Sequence, residues 1–297
     1  MKLSVEAARN AIKTKLADPL NISIEDAAMG IHKIVNENMA NAARVHVLEK
    51  GMDPRHFNMI GFGGAGPVHA FGVARLLNTK RLIIPVGAGV TSALGFLVSP
   101  VASEKIHSHI AELDTLNWGE VNGFLNDMET DGYNFLAQSG IAKNEANVER
   151  VVEMRYSGQG HEITIQLPQG KLDKNTISEI KKRFEKEYEF RYNRSIEGMS
   201  LEMVTWRVVV QGAIPKMEVK QFSKTSSNAK AYKGTRKVFF EETGYVDCSV
   251  YDRYALQPNE KFEGPAIIEE MESTTVIGTK STVQVDIDKN IIIDLHS

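Results

Sequence analysis

One segment limits the fold more than any other: Asn58-Met59-Ile60-Gly61-Phe62-Gly63-Gly64-Ala65-Gly66-Pro67-Val68-His69-Ala70. An apolar, strand-like run from Phe57 to Phe62 enters it, four glycines turn the chain, and a helix-forming run leaves it toward Leu77. Pro67 suits the first helical position, where its missing N–H would have had no partner and its φ is already helical. Such a strand–turn–helix gathers unpaired backbone N–H groups and the positive end of a helix dipole at one spot. Glycines there let a ligand approach the backbone without meeting a Cβ.

Gly61, Gly63 and Gly66 also spell G-x-G-x-x-G. A dinucleotide site would need an acid about twenty residues on, at the end of the next strand, to hold the ribose. That strand, Arg81-Leu82-Ile83-Ile84-Pro85-Val86, ends without one. A P-loop is also absent, since Pro67 and Val68 stand where Lys and Ser/Thr would be. A nicotinamide site is therefore the weakest reading. A nucleotide seat of another kind, or a tight turn that only packs a helix on a sheet, stays open.

The rest of the chain falls in order around this unit. A helix spans Val5–Leu16, broken by Pro19 and Asn21. Ser23, with Asp26 three residues on, caps a long helix from Ile24 to Lys50 that Gly51 ends. Its apolar stripe is Ala27, Ile31, Ile34, Val35, Met39, Ala42 and Val45, interrupted by Asn36, Asn38 and Asn41. Asparagine inside a helix competes for backbone hydrogen bonds, so these three either face a ligand cleft or are locally bonded. After Arg81–Val86, a second turn at Gly87-Ala88-Gly89 leads into a small-residue helix, Thr91–Leu97. There Ala93 and Gly95 would permit close packing on the sheet.

Asn117 with Glu120 opens another helix, closed by Gly140. From Val148 the pattern changes to period two, and Val152–Tyr156 and His161–Leu167 flank Ser157-Gly158-Gln159-Gly160 as a hairpin. A helix with Ile177, Ile180, Phe184 and Tyr188 on one face follows, then a strand over Met203–Val210. Gln221 to Lys233 reads as an exposed loop. The remainder is β: Lys237–Glu241 and Tyr245–Tyr251 turning at Thr243-Gly244, then Pro265–Glu270, Ser281–Ile287 and Asn290–Leu295.

At 297 residues two domains are expected. Lys and Arg number 35 against 38 Asp and Glu, a formal net charge of −3, which gives no basic field for nucleic acid or anionic membrane. The single cysteine, Cys248, excludes an internal disulfide and a Cys-cluster metal site, and its strand setting reads as a packed, inert thiol. No apolar run approaches a membrane span, and Met1-Lys2-Leu3-Ser4-Val5-Glu6 does not read as a signal peptide, so the cytoplasm is the expected compartment. Among the 8 histidines, only His107 and His109 have a spacing that would share a strand face, without carboxylates to complete a metal site. No metal ligands and no catalytic residues are assigned. His69, in the first turn after the glycines, favours the neutral ring at a helix N-terminus and suits hydrogen bonding.

Several ordered motifs together resemble the hydantoinase A/oxoprolinase family. They are Asn36-Glu37-Asn38-Met39-Ala40, Gly63-Gly64-Ala65-Gly66-Pro67-Val68-His69-Ala70, Ile84-Pro85, and Gly89-Val90-Thr91-Ser92-Ala93-Leu94-Gly95. Arg155-Tyr156-x-Gly158-Gln159 leading into Glu162, and Val250–Arg253 through Glu263–Glu269 to Ser273-Thr274-Thr275, carry the likeness across nearly the whole chain. Asn193 and Ile277-Gly278-Thr279 depart from the family pattern and leave the subfamily open.

The resemblance implies an α/β plus α+β protein. Its residues 1–105 would be the C-terminal half of an actin-like ATPase domain, the fold of sugar kinases and heat-shock chaperones. Its residues 106–297 would be a β-rich domain with two helices. It also implies ATP with Mg²⁺, the Mg²⁺ held mainly by an absent N-terminal half or companion subunit. Gly63, Gly64, Ala65, Gly66, Pro67, His69 and Asn38 would seat adenosine, and Arg155, Gln159 and His161 would face the substrate. The implied activity is ATP-dependent hydrolysis of cyclic amides, with ketone carboxylation or a non-catalytic interaction subunit as alternatives. In the actin-like fold two Asp-x-Gly-Gly-Thr-like hairpins hold the phosphates. No such segment occurs in this sequence, so the chain is expected to act as a fragment or one subunit, inactive alone and prone to associate.

Overall fold

A computed structural model describes residues 4–194, 196, 198–215 and 230–296. The first helix, α1 (Val5–Ile12), starts where Ser4 Oγ accepts the Ala7 N–H at 3.1 Å. It does not stop at Leu16. A π-helical turn, Lys13–Ala17, passes it into α2 (Asp18–Leu20), which carries Pro19 inside it and ends at Asn21 in the left-handed region. The wider π turn accommodates the proline, whose ring removes a hydrogen bond and crowds the preceding turn. Ser23 then caps α3 (Ile24–Glu49) by accepting the Asp26 N–H at 3.0 Å.

The strand before the glycine turn is only β1 (Met59–Ile60), because Pro54–His56 is a 3-10 turn. It is followed by α4 (Gly66–Leu76), with Pro67 in its second position, and β2 (Arg81–Ile84), which pairs parallel to β1. Next, α5 (Thr91–Val98) buries no residue, and a Cβ on Gly95 would meet nothing within 4 Å. The expected close packing of that helix does not occur; its small residues serve no tight interface among the described residues.

The chain continues through β3 (Ala102–Glu112), α6 (Trp118–Gln138), β4 (Asn147–Tyr156), β5 (Ile163–Gln166), α7 (Ile177–Tyr192) and β6 (Leu201–Gln211). Asn117 Oδ1 caps α6 by accepting the Gly119 N–H at 3.1 Å, and Gly140 follows its end at φ +79. These four strands form an antiparallel sheet in the order β3-β6-β4-β5. Val121, Leu125 and Leu136 of α6 and Ile180, Phe184 and Tyr188 of α7 bury against its inner face, which carries Val152, Met154, Trp206 and Val208. Each large apolar side chain removed from water there contributes about 1.5–3 kcal/mol.

The last stretch holds β7 (Tyr232–Phe240), β8 (Gly244–Asp252), β9 (Lys261–Glu263), β10 (Ala266–Glu269), β11 (Thr274–Ile277), β12 (Ser281–Val285) and β13 (Ile291–Leu295). The expected loop over Gln221–Lys233 lies largely outside the described residues, and its end, from Tyr232, is strand. One sheet runs β11-β10-β8-β7. The other runs β1-β2-β13-β12-β9, so β13 lies antiparallel on β2, with Ile293 opposite Leu82.

This pairing corrects the expected boundary at 105/106. The chain divides into two compact units: residues up to Phe96 group with β7–β13, while Leu97 through β6 form the other. The expected β-rich domain 106–297 is split, because its last strands complete the sheet that bears the glycine turn. The core of that first unit joins Leu82 and Ile84 of β2, Phe71 and Ala74 of α4, and Val283, Ile291 and Ile293. No helix among the described residues is long and apolar enough to cross a membrane.

Candidate functional site

Both glycine turns sit at the carboxyl ends of the neighbouring parallel strands β1 and β2, the usual ligand position in open α/β sheets. Gly61 N–H donates to Ile83 O at 2.9 Å, and Gly63 N–H donates to Ala88 O at 2.7 Å, which ties the first turn to the second. Gly61 is required by packing: a Cβ there would lie 2.7 Å from Ala70 Cβ and from Ile84 Cδ1. Gly63 is required by conformation, at φ +95. Gly64 and Ala65 are exposed, and no side chain caps the start of α4 at Ala65. A Cβ on Gly63 or Gly66 would meet nothing within 4 Å, so open space adjoins the turn.

The loop between β10 and β11 supports both turns from behind. Ser273 Oγ donates to Gly64 O at 3.1 Å, and a Cβ on Gly89 would lie 2.6 Å from both Cβ and O of Glu272. Tyr254 holds this loop, accepting the Met271 N–H at 3.1 Å and donating to Glu272 Oε2 at 3.3 Å. Arg253 is buried and donates to Ile84 O at 3.3 Å at the end of β2; burial pulls its pKa down, and burial pushes the Glu270 carboxyl up. The C-terminal signature thus acts as a brace for the glycine turns. Nothing in its local sequence connects it to residues some two hundred positions earlier.

Of the three helical asparagines, Asn36 is buried, and its Oδ1 lies 2.8 Å from His69 Nδ1. An amide oxygen only accepts, so His69 Nδ1–H donates to it. The His32 ring stacks on His69, with centroids 4.7 Å apart. Burial first, and the His69 charge second, lower the pKa of His32. Asn38, expected to face the nucleotide, is exposed on α3, while Asn41 accepts from Arg44 at 2.5 Å. The sequence left Asn36 open between a ligand cleft and a local bond, and it gave no signal for His32.

His32 and Asn36 also line a pocket of about 350 Å³ with Phe71, Gly72 and the β7 residues Val238–Phe240. Lys33–Glu241 at 2.9 Å and Arg75–Glu242 at 3.2 Å flank it. A smaller pocket of about 130 Å³ lies against the glycine turn itself, lined by Met39, Ile60, Gly61, Phe62 and Gly66. These groups suit a neutral, partly apolar ligand body beside backbone amides, as a nucleoside presents. Among the described residues no group of three His, Cys, Asp or Glu is placed to hold a metal ion.

In the second unit Arg155 is committed internally. Its Nε donates to Glu202 Oε2 at 2.9 Å and its Nη1 to Glu162 Oε1 at 2.8 Å. Gln159 Nε2 donates to Tyr188 Oη at 2.9 Å, and His161 is exposed. The hairpin tip does not present an unengaged guanidinium and amide, as the substrate-facing role implied by the resemblance would want, because neighbouring carboxylates and α7 already satisfy them. The rings of His107 and His109 stack at 6.4 Å, His107 lying on Phe124 at 4.4 Å. Cys248 is fully buried in β8, and burial pushes its thiol up to about 11, away from nucleophilic use.

Comparison with known proteins adds a family. The profile described as Hydantoinase/oxoprolinase matches residues 1–105, and the Hydantoinase/oxoprolinase C-terminal domain profile matches residues 114–297. An uncharacterized Methanocaldococcus jannaschii protein, MJ0964, is 33% identical over 96% of this chain and 40% of its own length. The caprolactamase subunit alpha of Pseudomonas jessenii is 26% identical over 96% of this chain and 42% of its own length. The acetone carboxylase beta subunit of Xanthobacter autotrophicus is 26% identical over 93% and 40%. The chain thus spans about two-fifths of the length of these relatives. The crystal structure of the ATP-dependent caprolactamase from Pseudomonas jessenii superposes with a TM-score of 0.71 at 25% identity, over 99% of this chain and 43% of that one. A nucleotide-free acetone carboxylase structure gives 0.69 at 23% identity, a likeness of fold, over 99% and 43%.

Proposed function

The chain belongs to the hydantoinase/oxoprolinase family, and from that premise we propose that it is the part of an ATP-dependent cyclic-amide hydrolase that seats the adenosine of ATP. The family holds ATP-dependent cyclic-amide hydrolases and carboxylases. The observation that carries the finer reading is the pair of glycine turns at the carboxyl ends of β1 and β2, joined by the Gly63–Ala88 hydrogen bond and braced by Glu272 and Ser273.

In this reading the exposed backbone of Gly64, Ala65 and Gly66 meets the nucleoside, and Pro67 fixes the start of α4 behind it. His69 is oriented by Asn36, and Asn38 lies on the outer face of α3. ATP would transfer its γ-phosphoryl group to the amide oxygen with release of ADP, and attack of water on the activated ring carbonyl would open the ring and release phosphate. The actin-like character of the sheet, Mg²⁺ and a cytoplasmic site of action belong to the same proposal. A companion polypeptide would bring the phosphate- and Mg²⁺-binding groups. Arg155, Gln159 and His161 would shape a substrate-facing surface of the second unit rather than contact the nucleotide. Ketone carboxylation is the second reading, favoured by the acetone carboxylase beta subunit among the relatives.

The test is ATP affinity of the wild-type chain and of Gly64→Val, each alone and in its assembled complex. Gly64 does not have a left-handed φ, and a Cβ there would only touch Glu272 O at 3.7 Å, so the variant retains the fold. Affinity at least tenfold weaker with an unchanged melting temperature supports the seat. Unchanged affinity refutes it.

A further inference from the structure

In α3, Ile31, Ile34, Val35, Ala42 and Val45 follow one another at helical spacing and share one face. Ala27, at the start of this stripe, is buried, but beyond it the face is turned to solvent: Ile34 is 64% and Val45 55% exposed, whereas the helix buries Asn36 and Ala40 on its other side. A surface helix buries its apolar stripe and exposes polar residues, so this arrangement is inverted. The apolar surface does not stop at the helix. Met39, next to Val35 and Ala42 on α3, lines the 130 Å³ pocket together with Ile60 and Phe62, which are 58% and 51% exposed.

Ile60 belongs to the edge strand of a sheet, and Phe62 follows it in the turn. The first strand of the order β1-β2-β13-β12-β9 is β1, only two residues long and, among the described residues, paired parallel to β2 on one side alone. An open edge presents unpaired N–H and C=O groups as a template for another strand. A continuous apolar surface that ends at an open edge strand marks an interaction site.

We propose that this surface docks the polypeptide corresponding to the three-fifths of the relatives that this chain does not match. That polypeptide would add a strand at the outer edge of β1 and lay apolar side chains along Ile31, Ile34 and Val45. Two observations select this occupant over a second copy of the chain. The matched relatives carry roughly one and a half times as much further polypeptide as the region they share with this chain. The surface also adjoins the glycine turn at Gly61 and Phe62, beside the proposed nucleotide seat. The proposal rests on the companion reading above but not on the nature of the ligand.

The test is co-expression with the part of the Methanocaldococcus jannaschii relative that lies outside its match to this chain. The expected result is a soluble one-to-one complex in which amide exchange at Ile60 and Phe62, whose neighbours Gly61 and Gly63 already donate within the chain, slows at least tenfold. Ile34→Glu and Val45→Glu change exposed positions, so each should keep the melting temperature of the chain and weaken the complex at least tenfold. If the segment is insoluble alone, its rescue by the wild-type chain and not by Ile34→Glu gives the same support. No complex and no rescue, a complex indifferent to both variants, or a self-dimer of this chain broken by Ile34→Glu would each overturn the proposal. A complex that forms but binds no ATP leaves the docking surface standing and removes the nucleotide reading instead.

Discussion

Asn36 and His69, thirty-three residues apart, meet across α3 and α4 with Oδ1 and Nδ1 separated by 2.8 Å. The buried amide fixes the imidazole at the N-terminal turn of the helix that follows the glycines. Asn36→Ala removes that acceptor and leaves a ring N–H without its partner in a partly buried site. The expected loss is about 1–3 kcal/mol of unfolding free energy, the cost of an unmet buried hydrogen bond. Urea denaturation of the variant measures it.

His32 gives the protein a pH response. Its folded-state pKa lies below the ordinary value of 6.5 because burial and the stacked His69 both disfavour the imidazolium. The unfolded chain therefore binds a proton first as pH falls. The associated stability is complete above pH 6.5 and is lost as pH drops through the lower folded value. Melting temperatures from pH 7.5 to 5.5 should decline, and His32→Gln should flatten that decline. An equal slope in both proteins would remove His32 as its source.

The glycines of the two turns should respond differently to alanine. Gly89→Ala drives a Cβ into the backbone of Glu272 and should cost about 1–3 kcal/mol, the usual penalty of overpacking. Gly63→Ala forces a left-handed φ and should cost about 1 kcal/mol. Gly66→Ala, in open space at the first position of α4, should be neutral or slightly stabilising. Thermal and chemical denaturation of the three variants gives this ranking directly.

Local signals made much of the fold legible. Asn117 and Gly140 bounded α6, Ser23 placed the start of α3, and the spacing of Ile180, Phe184 and Tyr188 gave the buried face of α7. Tertiary pairings were not legible. Periodicity found the Ile31–Val45 stripe but could not say whether it meets this chain or another, and it points outward. The pairing of β13 on β2 joins residues more than two hundred positions apart, and no local pattern encodes such a register. Within the candidate site, the sequence singled out the glycines, His69 and, as one of three asparagines, Asn36. The brace formed by Arg253, Glu272 and Ser273 was not, because its partners are backbone atoms of the distant turns.

Arg155 separates a structural role from a substrate role. It bridges Glu162 on the other side of the hairpin and Glu202 on the neighbouring strand β6. Arg155→Lys keeps the charge but gives up the planar fork that reaches both carboxylates at once. A bridging role predicts a lower melting temperature for this variant, with Glu202→Gln lowering it similarly. A residue reserved for substrate would leave stability unchanged and reduce turnover of the assembled enzyme. Melting curves of both variants, with turnover in the complex, decide between the two.

The last prediction concerns ATP turnover by the chain on its own. Phosphoryl transfer requires a metal ion between the phosphates and donors that hold the transferring group in line. The sequence has a single Gly-Gly pair, Gly63-Gly64, preceded by Phe62 and followed by Ala65, and no Asp-x-Gly-Gly-Thr-like hairpin. Among the described residues no group of three potential ligands is placed for a metal ion. The exposed turn at Gly64 and Ala65 offers backbone N–H groups suited to a nucleoside, which supports weak binding without chemistry. The purified chain should bind ATP weakly and release no phosphate above the uncatalysed rate, with or without Mg²⁺. Addition of the companion polypeptide should restore turnover, and Gly64→Val in the same complex should reduce it at least tenfold. Sustained phosphate release by the chain alone, at a rate proportional to its concentration and free of any co-purifying protein, would show that the phosphate-binding groups lie within these 297 residues after all.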